Sequence, residues 1–290
     1  MDNNCRQLCP ARIVSLSPSN TEILFAVGAG NKVVGVTDYC DHPAQLEAQI
    51  RAKKTFRVGG YWNPSVEKIL ALDPDLVLVS TAKCSNKTND CKTECSRSCE
   101  ITIKTAKELE SLGINVLMLS PHSLDDVFDD ILLVGNATGK SSRARKIAKD
   151  LRQRTNTVIE ASKTIAVKPK VYFEVWKDPY ISVNSQTWIG NLISLAGGEN
   201  VFGDALTEWP LIGPDDVVKV NPDVMLFPVI PDVVPFWESF EAVQNRKGWK
   251  NVSAIKNERL STVLRDCVSR PGPRLVESLE QLSKFFHEIS

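Results

Sequence analysis

The chain has 290 residues, 42% hydrophobic and 24% charged, with 35 Lys and Arg balancing 35 Asp and Glu. That length exceeds the usual single domain and supports two cores. Zero net charge without a basic stripe argues against nucleic acid and acidic membranes as partners, and no apolar run approaches the roughly 18 residues of a spanning helix.

In chain order, MDNNCRQLCPARIV is polar, with no signal-type apolar core and no small-residue cleavage site. Arg12–Leu16 reads as a strand, SPSNTE as a turn and helix start, and the helix runs through Val27 to stop at Gly28-Ala29-Gly30. Lys32–Thr37 is a second strand, and the stretch from Tyr39 to Gly60 reads as a loop-rich connection. Asn63-Pro64 then opens a helix over Ser65–Leu72, since Asn caps well and Pro suits the first helical position. Asp75–Ser80 is a buried strand, residues 81–100 a Cys-rich insertion, and Ala106–Leu112 and Asn115–Leu119 one more helix and strand. These make an N-terminal α/β lobe over 12–123. Residues 124–162 read as one long charged linking helix, weakened at Gly135 and Gly139. A C-terminal α/β lobe fills 168–290, beginning with the strand Lys170–Val175 and ending in an amphipathic helix. Helices alternating with strands imply mainly parallel sheets in each lobe.

The two lobes repeat each other. VEKILALDPDLVLVS (Val66–Ser80) returns as DDVVKVNPDVMLFP (Asp215–Pro228), and ILFAVGAGNKVVG (Ile23–Gly35) matches NLISLAGGENVFG (Asn191–Gly203) without a gap. Two related lobes are expected to enclose a ligand cleft.

Of 8 cysteines, six crowd into polar stretches: Cys5 and Cys9, then Cys84, Cys91, Cys95 and Cys99. An even number in hydrophilic segments reads first as disulfides formed in an oxidising compartment, which favours an extracytoplasmic protein whose signal or anchor is not in this sequence. The rival is a Cys-ligated metal or iron–sulfur redox protein, but intervals of six, three and three residues match neither zinc ribbons nor common ferredoxins.

Catalytic signatures are missing: no G-x-S-x-G elbow, no phosphate loop and no H-E-x-x-H helix. Three histidines, His42, His122 and His287, make a His-rich metal site hard to assemble. A non-enzymatic protein with no catalytic cofactor is therefore expected. The aromatic residues carry more information. Tyr61 stands six residues before Glu67, and Trp209 six before Asp215. Tyr39, Trp62, Trp176, Tyr180, Trp188 and Trp237 fall in other strand-to-helix loops, where ligands of open α/β sheets bind. Flat apolar walls suit a large, flat, partly apolar ligand. Glu67 and Asp215 are each favourable at a helix start whatever their function, but their equivalence in the two lobes also suits docking to a partner with paired basic groups.

IVSLSPSNTEILFAVGAGNKVVGV, GGYWNPSVEKILALDPDLVL, LISLAGGENVFGD and SRPGPRLVESL resemble the substrate-binding proteins of importers for cobalamin, haem and ferric siderophores. The resemblance runs from Arg12 to the C-terminus except the Cys-rich insertion. YCDHP, the aromatic before Glu67 and Trp209-Pro210 are most similar to cobalamin-binding members. It implies two α/β lobes joined by one helix, a monomer, and capture of a corrinoid for an ATP-driven membrane permease. It also implies ligand contacts at Tyr61, Trp176 and Trp209, with Tyr39, Trp62, Trp188 and Arg270 as further candidates, and permease docking by Glu67 and Asp215. Asp215 departs from the usual Glu and has a shorter reach. A haem or ferric siderophore is the alternative ligand; siderophore sites usually add cations, for which Arg57, Arg265 and Arg270 are available.

Overall fold

A computed structural model describes residues 9–61, 63–81, 94–229 and 239–290. It divides into two compact α/β units. Unit 1 takes the described residues up to Ser120 together with Phe128–Asp150, and unit 2 takes Pro121–Val127 and Leu151–Ser290.

Unit 1 begins β1 (Ile13–Ser15), α1 (Pro18–Ala26), β2 (Val33–Val36), α2 (Ala44–Arg51), β3 (Phe56–Arg57), α3 (Val66–Ala71), β4 (Leu76–Ser80), α4 (Glu94–Ser111) and β5 (Val116–Leu119). The strands form one parallel sheet in the order β3-β2-β1-β4-β5. Strand order reverses between β1 and β4, and the carboxyl ends flanking such a reversal are where open α/β sheets bind ligands. The core is aliphatic: Val14, Val58, Ile69, Val77, Val79 and Leu109 are all buried.

Two details differ from the sequence reading here. The loop-rich connection from Tyr39 to Gly60 also contains a helix and a strand, α2 and β3, that the sequence reading does not resolve. The helix expected at Ala106–Leu112 starts at Glu94, inside the supposed insertion. Thr102, Thr105, Ala106 and Leu109 are buried while Lys104, Lys107, Glu108 and Glu110 are exposed, so a helical stripe reaches well beyond the obvious apolar residues.

The stretch 124–162 is likewise two helices rather than one, α5 (Leu124–Ala137) and α6 (Ser141–Ser162). Gly139 breaks it with a left-handed φ of 71°. The helices close as a hairpin: a β-carbon at Gly135 would stand 2.2 Å from that of Ala144, so only glycine allows this approach.

Unit 2 continues with β6 (Lys170–Phe173), the hairpin β7 (Trp176–Lys177) and β8 (Tyr180–Ile181), then α7 (Trp188–Leu195), β9 (Glu199–Asn200), α8 (Pro214–Val220) and β10 (Val224–Val229). It ends with α9 (Phe240–Gln244), α10 (Ser253–Lys256), β11 (Leu260–Leu264), α11 (Arg265–Val268) and α12 (Leu275–Glu288). Its main sheet is again parallel, ordered β11-β10-β6-β9, with the reversal between β6 and β10. Tyr172, Met225, Phe227, Val243 and Trp249 fill its core.

The repeat extends to the backbone. Asp73 and Asn221 occupy the same place in the two copies, each just before the proline, and both are left-handed, with φ 45° and 46°. A residue before proline is disfavoured in the right-handed helical region, so the chain turns out of α3 and α8 in the same way.

Candidate functional site

In unit 1 the loop after β2 carries Tyr39, 55% exposed. It is held from beneath by Arg57, whose Nη1 donates to the carbonyls of Thr37 (3.0 Å), Asp38 (2.7 Å) and Cys40 (3.3 Å) while Nη2 pairs with Glu47 Oε1 at 3.0 Å. Buried Cys40 anchors the far end, its sulfur 3.1 Å from Thr37 Oγ1 and accepting from Thr21 Oγ1 at 3.3 Å. Gly59 then turns with φ 115°, where a β-carbon would stand 2.6 Å from the Asn63 carbonyl. The Tyr39 ring lies against Gly60, its Cε2 only 3.4 Å from where a β-carbon would stand. Tyr61 follows directly, and its phenol donates to the Ser80 carbonyl (3.4 Å) at the carboxyl end of β4. Tyr39 and Tyr61 are thus brought together beside the strand-order reversal. Trp62 lies outside the described residues, as do Trp237 and Cys5.

In unit 2, Trp176 opens the hairpin that follows β6, a strand at the reversal, and its indole donates to the Asp178 carbonyl at 2.9 Å. Trp188 is the first residue of α7, whose cap Thr187 accepts from Gly190 N at 3.0 Å. The Trp188 indole donates to the Val268 carbonyl (2.9 Å), and its ring meets Trp209 edge to face, centroids 5.4 Å apart at 65°. Trp209 is half-buried, and its indole nitrogen has no acceptor among the described residues. Exposed Leu206 and Leu211 flank it along the chain. Arg270 is half-buried between α11 and α12.

Beneath the hairpin lies a charged cluster with no signal in the sequence. Arg246 and Glu174 form a bidentate pair at 2.6 and 2.9 Å, with side chains only 7% and 0% exposed. Tyr172 donates its hydroxyl to the same carboxylate at 3.0 Å; burial, and then that carboxylate, hold its phenol well above the ordinary tyrosine range. The guanidinium stacks over Tyr180 and Trp249, 5.2 and 4.6 Å from their centroids. The Glu174 carboxylate thus accepts from both Arg246 and Tyr172.

Glu67 and Asp215 are both exposed in the first turns of α3 and α8. Neighbours cap those helices: Ser65 Oγ accepts from Lys68 N at 3.2 Å, and Asp216 Oδ2 accepts from Gly213 N at 2.7 Å. Neither Glu67 nor Asp215 makes a hydrogen bond or ion pair among the described residues.

One expected disulfide cysteine is corrected. Cys9 is a free, exposed thiol, and its sulfur packs on the turn at Gly139 rather than on another sulfur. Cys84 and Cys91 lie outside the described residues; Cys95 and Cys99 fall in α4, with side chains outside them.

Each of the two α/β units has a parallel sheet and aromatic residues near its strand-order reversal, and among the described residues neither carries a constellation of nucleophile and base. The family of periplasmic binding proteins matches residues 13–263. The chain belongs to this family. Its members are solute-binding proteins rather than enzymes, and this one is a substrate-binding protein of the ABC-importer type. It is 33% identical to the uncharacterized ABC transporter substrate-binding lipoprotein YvrC of Bacillus subtilis (strain 168), over 95% of this chain and 79% of that one. A vitamin B12-binding protein of Vibrio parahaemolyticus is 25% identical over 96% of this chain and 90% of its own. The apo structure of the periplasmic haem-binding protein RhuT from Roseiflexus sp. RS-1 superposes with a TM-score of 0.77 at 24% identity, over 96% and 98% of the two chains. At that identity the likeness is one of fold alone.

Proposed function

We propose that the chain captures a corrinoid outside the cytoplasm and delivers it to the membrane permease of an ABC importer. The observation that carries the ligand class is the aromatic furniture at the carboxyl ends of the sheets. Tyr39 and Tyr61 in unit 1, and Trp176, Trp188, Trp209 and Arg270 in unit 2, are the proposed contacts. Rings of this kind hold a large chelate by stacking and area burial. Of the cations available to an anionic siderophore, Arg57 is committed elsewhere, to three carbonyls and Glu47. The vitamin B12-binding relative supports the same reading, as YvrC and that relative support an extracytoplasmic place. The test is a side-by-side titration with cyanocobalamin, dicyanocobinamide and haemin. Saturable 1:1 binding of the corrinoids is expected; haemin binding without them would transfer the assignment to haem.

Glu67 and Asp215 are the proposed permease-docking pair, because both are exposed, unpartnered among the described residues, and equivalent in the repeat. For the Cys-rich segment, oxidation among Cys84, Cys91, Cys95 and Cys99 is proposed, since closing short loops there restricts the denatured chain. Thiol titration of denatured, unreduced protein is expected to find Cys9, Cys40 and Cys267 reactive and these four not.

A further inference from the structure

The Arg246–Glu174 pair needs a reason to exist. A buried ion pair is not by itself a source of stability, because desolvation offsets the attraction and apolar replacements are often tolerated. Its surroundings supply that reason. The guanidinium is clamped by Glu174 and lies over the Tyr180 ring, its Cζ 5.2 Å from the ring centroid. Tyr180 belongs to the segment that joins both tryptophan-bearing pieces of unit 2. On one side, Trp176 pairs with Ile181 in the hairpin, and Val175 N donates to the Ile181 carbonyl at 2.8 Å. On the other, Ile181 bridges antiparallel to Leu211, Ile212 N donates to the Tyr180 carbonyl (3.0 Å), Ser182 N to Pro210 (3.1 Å) and Asn184 N to Glu208 (2.9 Å). Residues 180–184 are therefore a spine with Trp176 on one edge and Trp209 on the other.

We propose that Arg246 and Glu174 are positioning residues that pre-organise both tryptophan segments of unit 2 through the Tyr180 ring. Held this way, the segments do not have to be ordered when the ligand arrives, and the ordering cost is removed from the binding free energy. The inference rests on the corrinoid reading only for its choice of ligand.

The test is the double change Glu174→Gln with Arg246→Met, which removes both charges together and so leaves none buried alone. The variant is expected to unfold in one cooperative transition, to lose hydrogen-exchange protection at the amides of Val175, Ser182, Asn184 and Ile212, and to bind cyanocobalamin at least about tenfold more weakly. A folded variant with native protection at those four amides overturns the proposal, as does native affinity alongside lost protection. Should the native protein not bind cyanocobalamin, the corrinoid reading falls and the exchange data alone decide the positioning role. Should the double variant not fold, Tyr180→Leu takes its place, deleting the ring while sparing the ion pair, and the same outcomes apply.

Discussion

The two units share a repeated scaffold yet hold their aromatic loops by different physics. Unit 1 uses a half-exposed arginine, Arg57, to gather three backbone carbonyls under Tyr39, with Glu47 as a partly solvated counterion. Unit 2 uses a fully sequestered pair, Arg246 and Glu174, acting through ring stacking on Tyr180. The holding devices, and the loops they hold, sit in segments that the repeat does not cover. Residues 39–60, with α2 and β3, have no counterpart in unit 2, and the β7–β8 hairpin has none in unit 1. Duplication thus supplied matched sheets and matched acids, whereas the aromatic loops proposed to contact the ligand diverged within each unit.

The largest expected difference is in stability. Glu174→Ala leaves a guanidinium buried without its partner and is expected to cost unit 2 about 3–5 kcal/mol, whereas Glu47→Ala, at a side chain 39% exposed, is expected to cost under about 1 kcal/mol. Chemical denaturation of the two variants measures this, and equal losses would erase the contrast between the devices. Next in size is ligand binding. Tyr61→Ala and Trp209→Ala are each expected to weaken cyanocobalamin by about 1–3 kcal/mol in a calorimetric titration, the scale of a buried aromatic contact. If one variant alone shows a loss, only one unit's aromatics contribute.

The shared feature, the paired acids, should behave oppositely to the divergent ones. The double change Glu67→Ala and Asp215→Ala is expected to leave corrinoid affinity within about threefold while weakening association with the cognate permease by about 2 kcal/mol. Added salt should weaken the native association as well. A double variant that docks normally would return both acids to a helix-start role, and one that loses ligand would move them into the binding site.

The smallest effect concerns the Arg154–Glu280 pair of unit 2. Its hydrogen bond to Arg154, more than the burial that opposes it, holds the Glu280 carboxyl below the ordinary range. A folded-state value below the unfolded one means the contribution is present above the unfolded value and disappears as acid protonates the group. Because both side chains are more than a third exposed, it is expected to be small and to shrink further in salt. Comparing acid unfolding of the native protein and Glu280→Gln checks the sign: the difference between them should vanish at low pH.

Much of the fold was legible in the sequence because its signals are local. Period, caps and the Pro-Asp step placed α3, β4, α8 and β10 on residues 66–80 and 214–229, and two exposed acids followed from their position in a first turn. The same local logic underestimated α4, whose buried stripe includes threonines that do not read as apolar, and it ran one helix through Gly139, where the close contact of Gly135 with Ala144 favours a hairpin instead. What holds the aromatic loops was decided by tertiary structure alone. Arg246 meets a carboxylate 72 residues away, and Arg57 looks like any other cation until its carbonyl acceptors are in place. Periodicity records which face of an element is buried; it does not record which charge is buried with it, because that depends on distant segments arriving at the same point.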